Sequence, residues 1–384
     1  MTRDLRLVGV SLLCWGIGEG AFFIFLPIYL GQLGADPAAI GAVLGLSTAA
    51  MAVTLIPAGV LADMFGRRTL MISGWAVGAL AGAVMYFAET LPVFVAGVVL
   101  YGFTGFVISP LNSYVTSARG SLTPARALGF IGSLFHAGAI LGAFVGGLVG
   151  ERIGLRFVFI GATSLFVVST FLIFFARHQP VEAPGPGHRY RPLLRNGAFG
   201  RFLLLAGVMV FALYLGTPLV PKYLQEIHGV PLNTIGVFGS LLETAIVVFS
   251  LMLPRVGPRR GLLLAHLLVG LGLVSLWRGT NAVWFGAGYL LTGALRTSRL
   301  LLTAQADTYL HRSQIGLAYG VLETVGSGMM VVAAPIAGWL YVMDPDLPLR
   351  AGLVLIAGSL LTQVPGLPAP AAEAASHAGR AKET

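Results

Sequence analysis

Twelve apolar runs, each near the length a bilayer demands, follow one another along this 384-residue chain. They cover 7–30, 40–62, 70–87, 93–114, 128–149, 157–176, 202–220, 235–253, 262–277, 283–303, 315–341 and 351–364. A helix needs about 20 mainly apolar residues to cross the hydrocarbon core. The runs therefore predict an all-α polytopic membrane protein with twelve transmembrane helices. The last run is short and ends at Pro365. The first follows Arg3 and Arg6 as a secretory signal would, but it is too long and has no small-residue cleavage site, so it is read as a span. Charged residues are 10% of the chain, against about 25% in a soluble domain. Lipid must then be the main solvent.

A charged turn breaks this apolar pattern and then returns. GVLADMFGRRTL at 59–70 has a degraded counterpart, PRVGPRRGLL at 254–263, with Gly66 and Gly257 separated by 191 residues. At the same offset ALGF (127–130) matches AYGV (318–321), Gly147 matches Gly338 and Pro27 matches Pro218. At an offset of 195, GADPAAIG (34–41) matches GVPLNTIG (229–236). Such internal similarity marks duplicated membrane halves that rock against each other. The expected organisation is a six-helix bundle at 1–176, a cytoplasmic linker at 177–201 rich in Pro, Gly and Arg, and a second six-helix bundle at 202–366. The Ala/Pro-rich tail at 367–384 is expected to be disordered and cytoplasmic.

The basic residues set the orientation. With a cytoplasmic N-terminus, seventeen Lys and Arg fall on cytoplasmic segments and five on outer loops. That bias fits the positive-inside rule and predicts both termini in the cytoplasm, in a plasma (inner) membrane. The formal charge of +9 does not point to nucleic acid, because the arginines sit in short loops with no basic domain to gather them. The single cysteine, Cys14, excludes an intrachain disulfide and a cysteine metal cluster. No metal or cofactor is expected.

These residues resemble the major facilitator superfamily of secondary transporters over essentially the whole chain. The family signature between spans two and three has the form G-x-L-A-D-R/K-x-G-R/K-R/K. Here Gly59, Leu61, Ala62, Asp63, Gly66, Arg67 and Arg68 stand in register, with Met64 replacing the first basic residue. The resemblance implies that Asp63 latches spans two and eleven in the outward-open state, with Arg67 and Arg68 as the basic side of this gating loop. The drug–proton antiporter branch places G-P-x-x-G-G in span five. Here Gly142, Gly146 and Gly147 match without the proline, and are expected to bend the helix. That branch also favours an arginine in span four, where this chain has Val98.

An ionisable side chain at the bilayer centre costs roughly 2.5–3.5 kcal/mol, so each needs a reason. Glu19, Glu243, Arg296 and Glu323, with Arg299 and His136, lie in the first, eighth, tenth, eleventh and fifth spans. The resemblance places all these spans at or beside a central cavity. The expected site is Glu19, Glu243, Arg296 and Glu323 with Trp15, Phe22 and Tyr289 as aromatic neighbours. Arg296 and Glu323 lie at similar depth and are expected to pair. Arg299 is expected to snorkel, and His136 to make a helix contact. Three buried acids against two arginines leave one acid for a proton or a cationic group, and Glu19 is the choice. The expected function is proton-coupled export of small amphipathic or cationic organic compounds by a monomer. The alternative is a symporter or facilitator for a small organic anion that uses Arg296. A polytopic membrane enzyme is a distant third, since no converging catalytic groups appear.

Overall fold

The computed structural model describes residues 2–179, 197–306 and 315–366, and these are helical almost throughout. In chain order the helices are α1 (Arg3–Phe23), α2 (Leu26–Gln32), α3 (Pro37–Phe65), α4 (Arg67–Phe87), α5 (Leu91–Phe103), α6 (Ile108–Ala118), α7 (Pro124–Arg152) and α8 (Leu155–Phe174). There follow α9 (Gly197–Leu215), α10 (Val220–His228), α11 (Leu232–Met252), α12 (Pro258–Arg278), α13 (Ala282–Thr292), α14 (Ala294–Ala306), α15 (Ile315–Met343) and α16 (Leu347–Gly366). Most of the linker at 177–201 and the whole tail at 367–384 lie outside the described residues.

Each expected apolar run is helical, but among the described residues only ten helical stretches are long and apolar enough to cross a membrane. Two expected spans differ. The stretch 282–306 is divided between α13 and α14, and the charged Arg296 and Arg299 dilute its hydropathy. The last apolar helix, Leu347–Leu361, is shorter than the others. Four spans are interrupted, three of them for a common reason. Pro27 opens α2, Pro110 follows the 3-10 turn Thr104–Val107, and Pro221 opens α10. Proline lacks the N–H that would bond the preceding turn and its ring crowds that carbonyl. The fourth break, at Gly293, has no proline. There the backbone runs so close to α11 that a Cβ would stand 2.6 Å from that of Ala245.

The duplicated turns have the same backbone. Gly66 has φ +84° and Gly257 φ +89°, while Gly34 and Gly229 have φ +90° and +63°. An L side chain is strained at such angles, so glycine is required at both copies. Both charged turns lie at one end of the bundle. Arg68 donates to the carbonyls of Phe174 and Ala176 at 2.6 Å each, and Arg67 Nη1 donates to Ser117 Oγ at 2.8 Å. The free carbonyls at a helix C-terminus attract cations, which fixes this basic end.

α7 runs unbroken from Pro124 to Arg152. Its glycines let neighbours approach. A Cβ on Gly142 or Gly146 would lie 2.1 Å from the carbonyl oxygen of Ile17 or Ala21 in α1. Without a hydrophobic force between helices in lipid, such close van der Waals packing does the joining.

At the end opposite the arginines, Asp346 sits between α15 and α16. It accepts bonds from Tyr223 Oη (2.8 Å), Arg350 Nη2 (2.9 Å) and Trp277 Nε1 (3.2 Å). Partial burial pushes its carboxyl up, but the bonds from Arg350, Tyr223 and Trp277 outweigh this and hold it below the usual aspartate range. A depressed carboxyl stabilises the fold above its unfolded value and loses that effect as pH falls through its lower native value. Asp346→Asn should therefore lower the melting temperature in detergent at neutral pH. The gap to the parent should close as pH falls below about 4. A gap unchanged by acid would show that the Asp346 charge is not involved.

Candidate substrate and coupling site

Glu19 stands in α1 where its carboxylate meets α5. Trp15 Nε1 donates to Glu19 Oε2 at 3.1 Å, and Tyr101 Oη donates to the same oxygen at 2.6 Å. Among the described residues no donor bonds Oε1. Tyr101 was not foreseen in the sequence, since a tyrosine within an apolar run carries no periodic signal. Glu19 lies within electrostatic reach of Arg296 of α14 and Glu243 of α11. Arg296 is exposed although it sits within the tenth expected span.

The aromatic neighbours are buried. Trp15 is 8% exposed, Phe22 1% and Tyr289 4%. Trp15 stacks on Phe166 with centroids 4.3 Å apart and tilts against Trp75 at 5.3 Å. Trp75 Nε1 in turn donates to Ser169 Oγ (2.6 Å) and Ser11 Oγ (2.9 Å), which ties α1, α4 and α8 together. Phe22 packs on Tyr101 and Phe159. This buried aromatic cluster packs around the Glu19 carboxylate in this conformation. It fixes the rotamers of Trp15 and Tyr101, and so the position of the Glu19 carboxylate. Tyr289 stacks on Phe238, and its buried hydroxyl has no hydrogen-bond partner among the described residues.

One pairing differs from the sequence reading. Glu323 pairs with Arg299, not with Arg296. Arg299 does not snorkel; its guanidinium also reaches Met330 Sδ at 3.4 Å. One turn of helix separates Arg296 from Arg299, and the turn after Gly293 decides which of them faces α15. His136 of α7 makes its helix contact with Glu243 of α11, with Nδ1 and Oε2 2.7 Å apart. Sequence distance hid this contact, because the partners are 107 residues apart. Lys222, which reads as an outer-loop charge, is 5% exposed and pairs with Glu226, whose carboxylate also accepts from Tyr341 Oη at 3.2 Å.

Gly59 and Asp63 lie in the last turns of α3, and their side chains fall outside the described residues. The expected latch contact of Asp63 falls outside with them. Arg67 and Arg68, its basic side, are tied to α6 and to the end of α8 in this conformation.

A seam runs between the helices before and after the linker. A Cβ on Gly147 of α7 would stand 2.9 Å from the Cα of Gly236 in α11, and one on Gly41 of α3 3.0 Å from the Cα of Gly338 in α15. These two crossings are related by the sequence repeat, since Gly147 corresponds to Gly338 and Gly41 to Gly236. Glu151 Oε2 accepts the backbone N–H of Leu232 at 2.7 Å, and Ser240 Oγ donates to the carbonyl of Ile140 at 2.7 Å. The seam is therefore closed from the end opposite the arginines down to His136–Glu243.

Comparison with known proteins agrees with this architecture. The family model of the Major Facilitator Superfamily matches residues 8–335. The multidrug resistance protein MdtG of Salmonella arizonae is 26% identical over 267 residues, which is 66% of each protein. The chain thus spans just under two thirds of that relative's length. The class H tetracycline resistance protein of Pasteurella multocida is 28% identical over 48% of this chain and 47% of its own. The crystal structure of the nucleoside transporter NupG superposes with a TM-score of 0.80 at 14% identity, covering 94% of this chain and 98% of that one. The human organic anion transporter MFSD10 has a TM-score of 0.67 at 17% identity, covering 94% and 99%.

Proposed function

The chain belongs to the major facilitator superfamily, and from that premise we propose that it exports small amphipathic or cationic organic compounds in exchange for protons by alternating access. The observation that carries this reading is the Glu19 carboxylate. It is held by two donors on Oε2, it has no bonded donor on Oε1 among the described residues, and it stands near mid-span. One negative group that binds either a proton or a cation is the simplest basis for exchange. The similarity to MdtG and to the tetracycline resistance protein supports efflux as the direction.

Arg296 supports a second reading. An exposed guanidinium within a span is a ready contact for a small organic anion, and a facilitator or symporter would use it in that way. Transport by the purified protein in liposomes separates the two. A panel of organic cations and anions, tested with and without an inward-acid pH gradient, should show cation flux that follows the gradient. Anion flux indifferent to the gradient would favour the second reading.

The moving parts in this proposal are two six-helix halves, 1–176 and 202–366, with 177–201 between them and both termini in the cytoplasm. The matched glycine angles and the paired crossings at the seam support this division. The basic end is then cytoplasmic. Arg67→Cys, in a Cys14→Ser background, should resist impermeant thiol reagents applied outside intact cells and react once the cells are opened. Ready labelling from outside would reverse the orientation.

A further inference from the structure

One half-buried ionisable pair, His136 and Glu243, has no part in the exchange at Glu19. His136 stands twelve residues into α7 and Glu243 eleven into α11, so both lie roughly 16–18 Å along their helices. Their side chains are 21% and 19% exposed. The contact joins the two proposed halves at the inner limit of the closed seam. Between α7 and α11, among the described residues, the closures beyond it are neutral, the Ser240–Ile140 bond and the Gly147–Gly236 crossing, until Glu151 caps the start of α11.

The ionisable groups around the pair are few. From α1 come Glu19 and Cys14. From α14 comes Arg296, which lies in reach of Glu19. α6 brings Tyr114, already bonded to the carbonyl of Arg177, and α8 brings Arg156, bonded to the carbonyl of Tyr86 at the far end. α13 brings Tyr289, and Arg126, Glu151 and Arg152 sit at the ends of α7. Arg299 and Glu323 neutralise each other. What remains at the centre is Glu19 and Glu243 against Arg296, with His136 able to supply the second positive charge. One proton on the imidazole brings this centre to neutrality.

We propose that His136 and Glu243 form a proton-gated tie between the two halves, which holds the outer side shut while His136 is protonated and is released when an organic ammonium group takes its place at Glu243. The step is a proton transfer only. An imidazole nitrogen takes a proton from water on the acidic side and returns it to water on the other, and no other bond changes. A charged imidazolium strengthens the bond to the carboxylate over its neutral form. Acid outside therefore closes the outer side, and a cationic cargo arriving from the cytoplasm competes for the same carboxylate. This inference rests on the alternating-access reading of two halves, but not on Glu19 as the coupling site.

The test reads conformation and needs no cargo. Spin labels at Arg152→Cys and Ile227→Cys, in a Cys14→Ser background, straddle the seam at its outer end, where both positions are exposed. Between about pH 5.5 and about pH 8, the ratio of separated to close labels should rise with pH. The expected rise is about tenfold, the scale of one hydrogen bond to a charged group. His136→Gln and Glu243→Gln should each flatten the response, and His136→Lys, permanently charged, should stay closed at both ends of the range. Glu19→Gln, which removes one negative charge from this centre, should shift the response along the pH scale without abolishing it. A response that survives in His136→Gln or in Glu243→Gln overturns the tie, so either variant decides if the other fails to insert. Loss of the response only in Glu19→Gln would also overturn it while leaving the Glu19 reading intact.

Discussion

Glu19→Gln should abolish pH-driven transport, with a loss of at least about tenfold, while the protein still folds and still binds neutral cargo. The amide oxygen of glutamine can accept the bonds from Trp15 and Tyr101 that Oε2 accepts now. The shape of the site is then kept, and the aromatic core of Trp75, Phe166 and Phe22 around it is not disturbed. What disappears is the charge. A glutamine neither takes up a proton nor attracts a cation, so the variant is a permanent mimic of the protonated state. Arg296 is left without its neighbouring carboxylate, which should weaken cation binding further and improve the entry of anions. Accumulation of a cationic dye in proteoliposomes, driven by a pH gradient, reads the first effect. Thermal melting reads folding. Parent-like, gradient-driven accumulation by Glu19→Gln would remove it from the coupling step and leave Glu243 to carry it.

The sequence revealed much of the fold because the bilayer allows so little choice. Twenty or so apolar residues between polar turns have one reading, and the repeat of Gly66 in Gly257 required the same left-handed turn twice. The interruptions at Pro27, Pro110 and Pro221 were also visible as residues, although their effect on the helices was not predicted. The site was less legible. Composition and position could select Glu19, Glu243, Arg296 and Glu323 as the costly charges. They could not say which partner each would meet, because helix rotation decides that, and a polar residue in a span is free to face any neighbour. Arg299 took Glu323 by a shift of one turn. Tyr101 and His136 acquired their meaning only from side chains 82 and 107 residues away. Phe22 is one turn from Glu19 on α1, and its packing on Tyr101, which bonds the carboxylate, was not visible in the sequence.

Gly147→Val should leave the protein folded and nearly stop transport, whereas Gly142→Val should prevent assembly. Both glycines lie in α7 and both lack room for a side chain, but the obstacles belong to different parts of the molecule. A Cβ on Gly142 would sit 2.1 Å from the carbonyl oxygen of Ile17 in α1, within the proposed N-terminal half. That contact persists whatever the two halves do, and valine there forces α1 and α7 apart. A Cβ on Gly147 would sit 2.8 Å from the carbonyl oxygen of Leu232, 2.9 Å from the Cα of Gly236 and 3.1 Å from the Cα of Asn233. All three are backbone atoms of α11, across the seam, and they are in the way only while the seam is closed. Overpacking of this kind costs about 1–3 kcal/mol. Imposed on one of two states, it shifts their equilibrium by roughly 5–150-fold towards the state that is open at the end opposite the arginines. Transport needs both states, so its rate should fall by at least about tenfold while folded yield stays near that of the parent. Gly338→Val should behave in the same way, since its Cβ would meet the carbonyl oxygen of Pro37 at 2.3 Å at the partner crossing. Size-exclusion yield, proteoliposome flux and the separation of labels across the seam measure the three effects. Parent-like flux from Gly147→Val would mean that the two halves never close as tightly during transport as they do in this conformation.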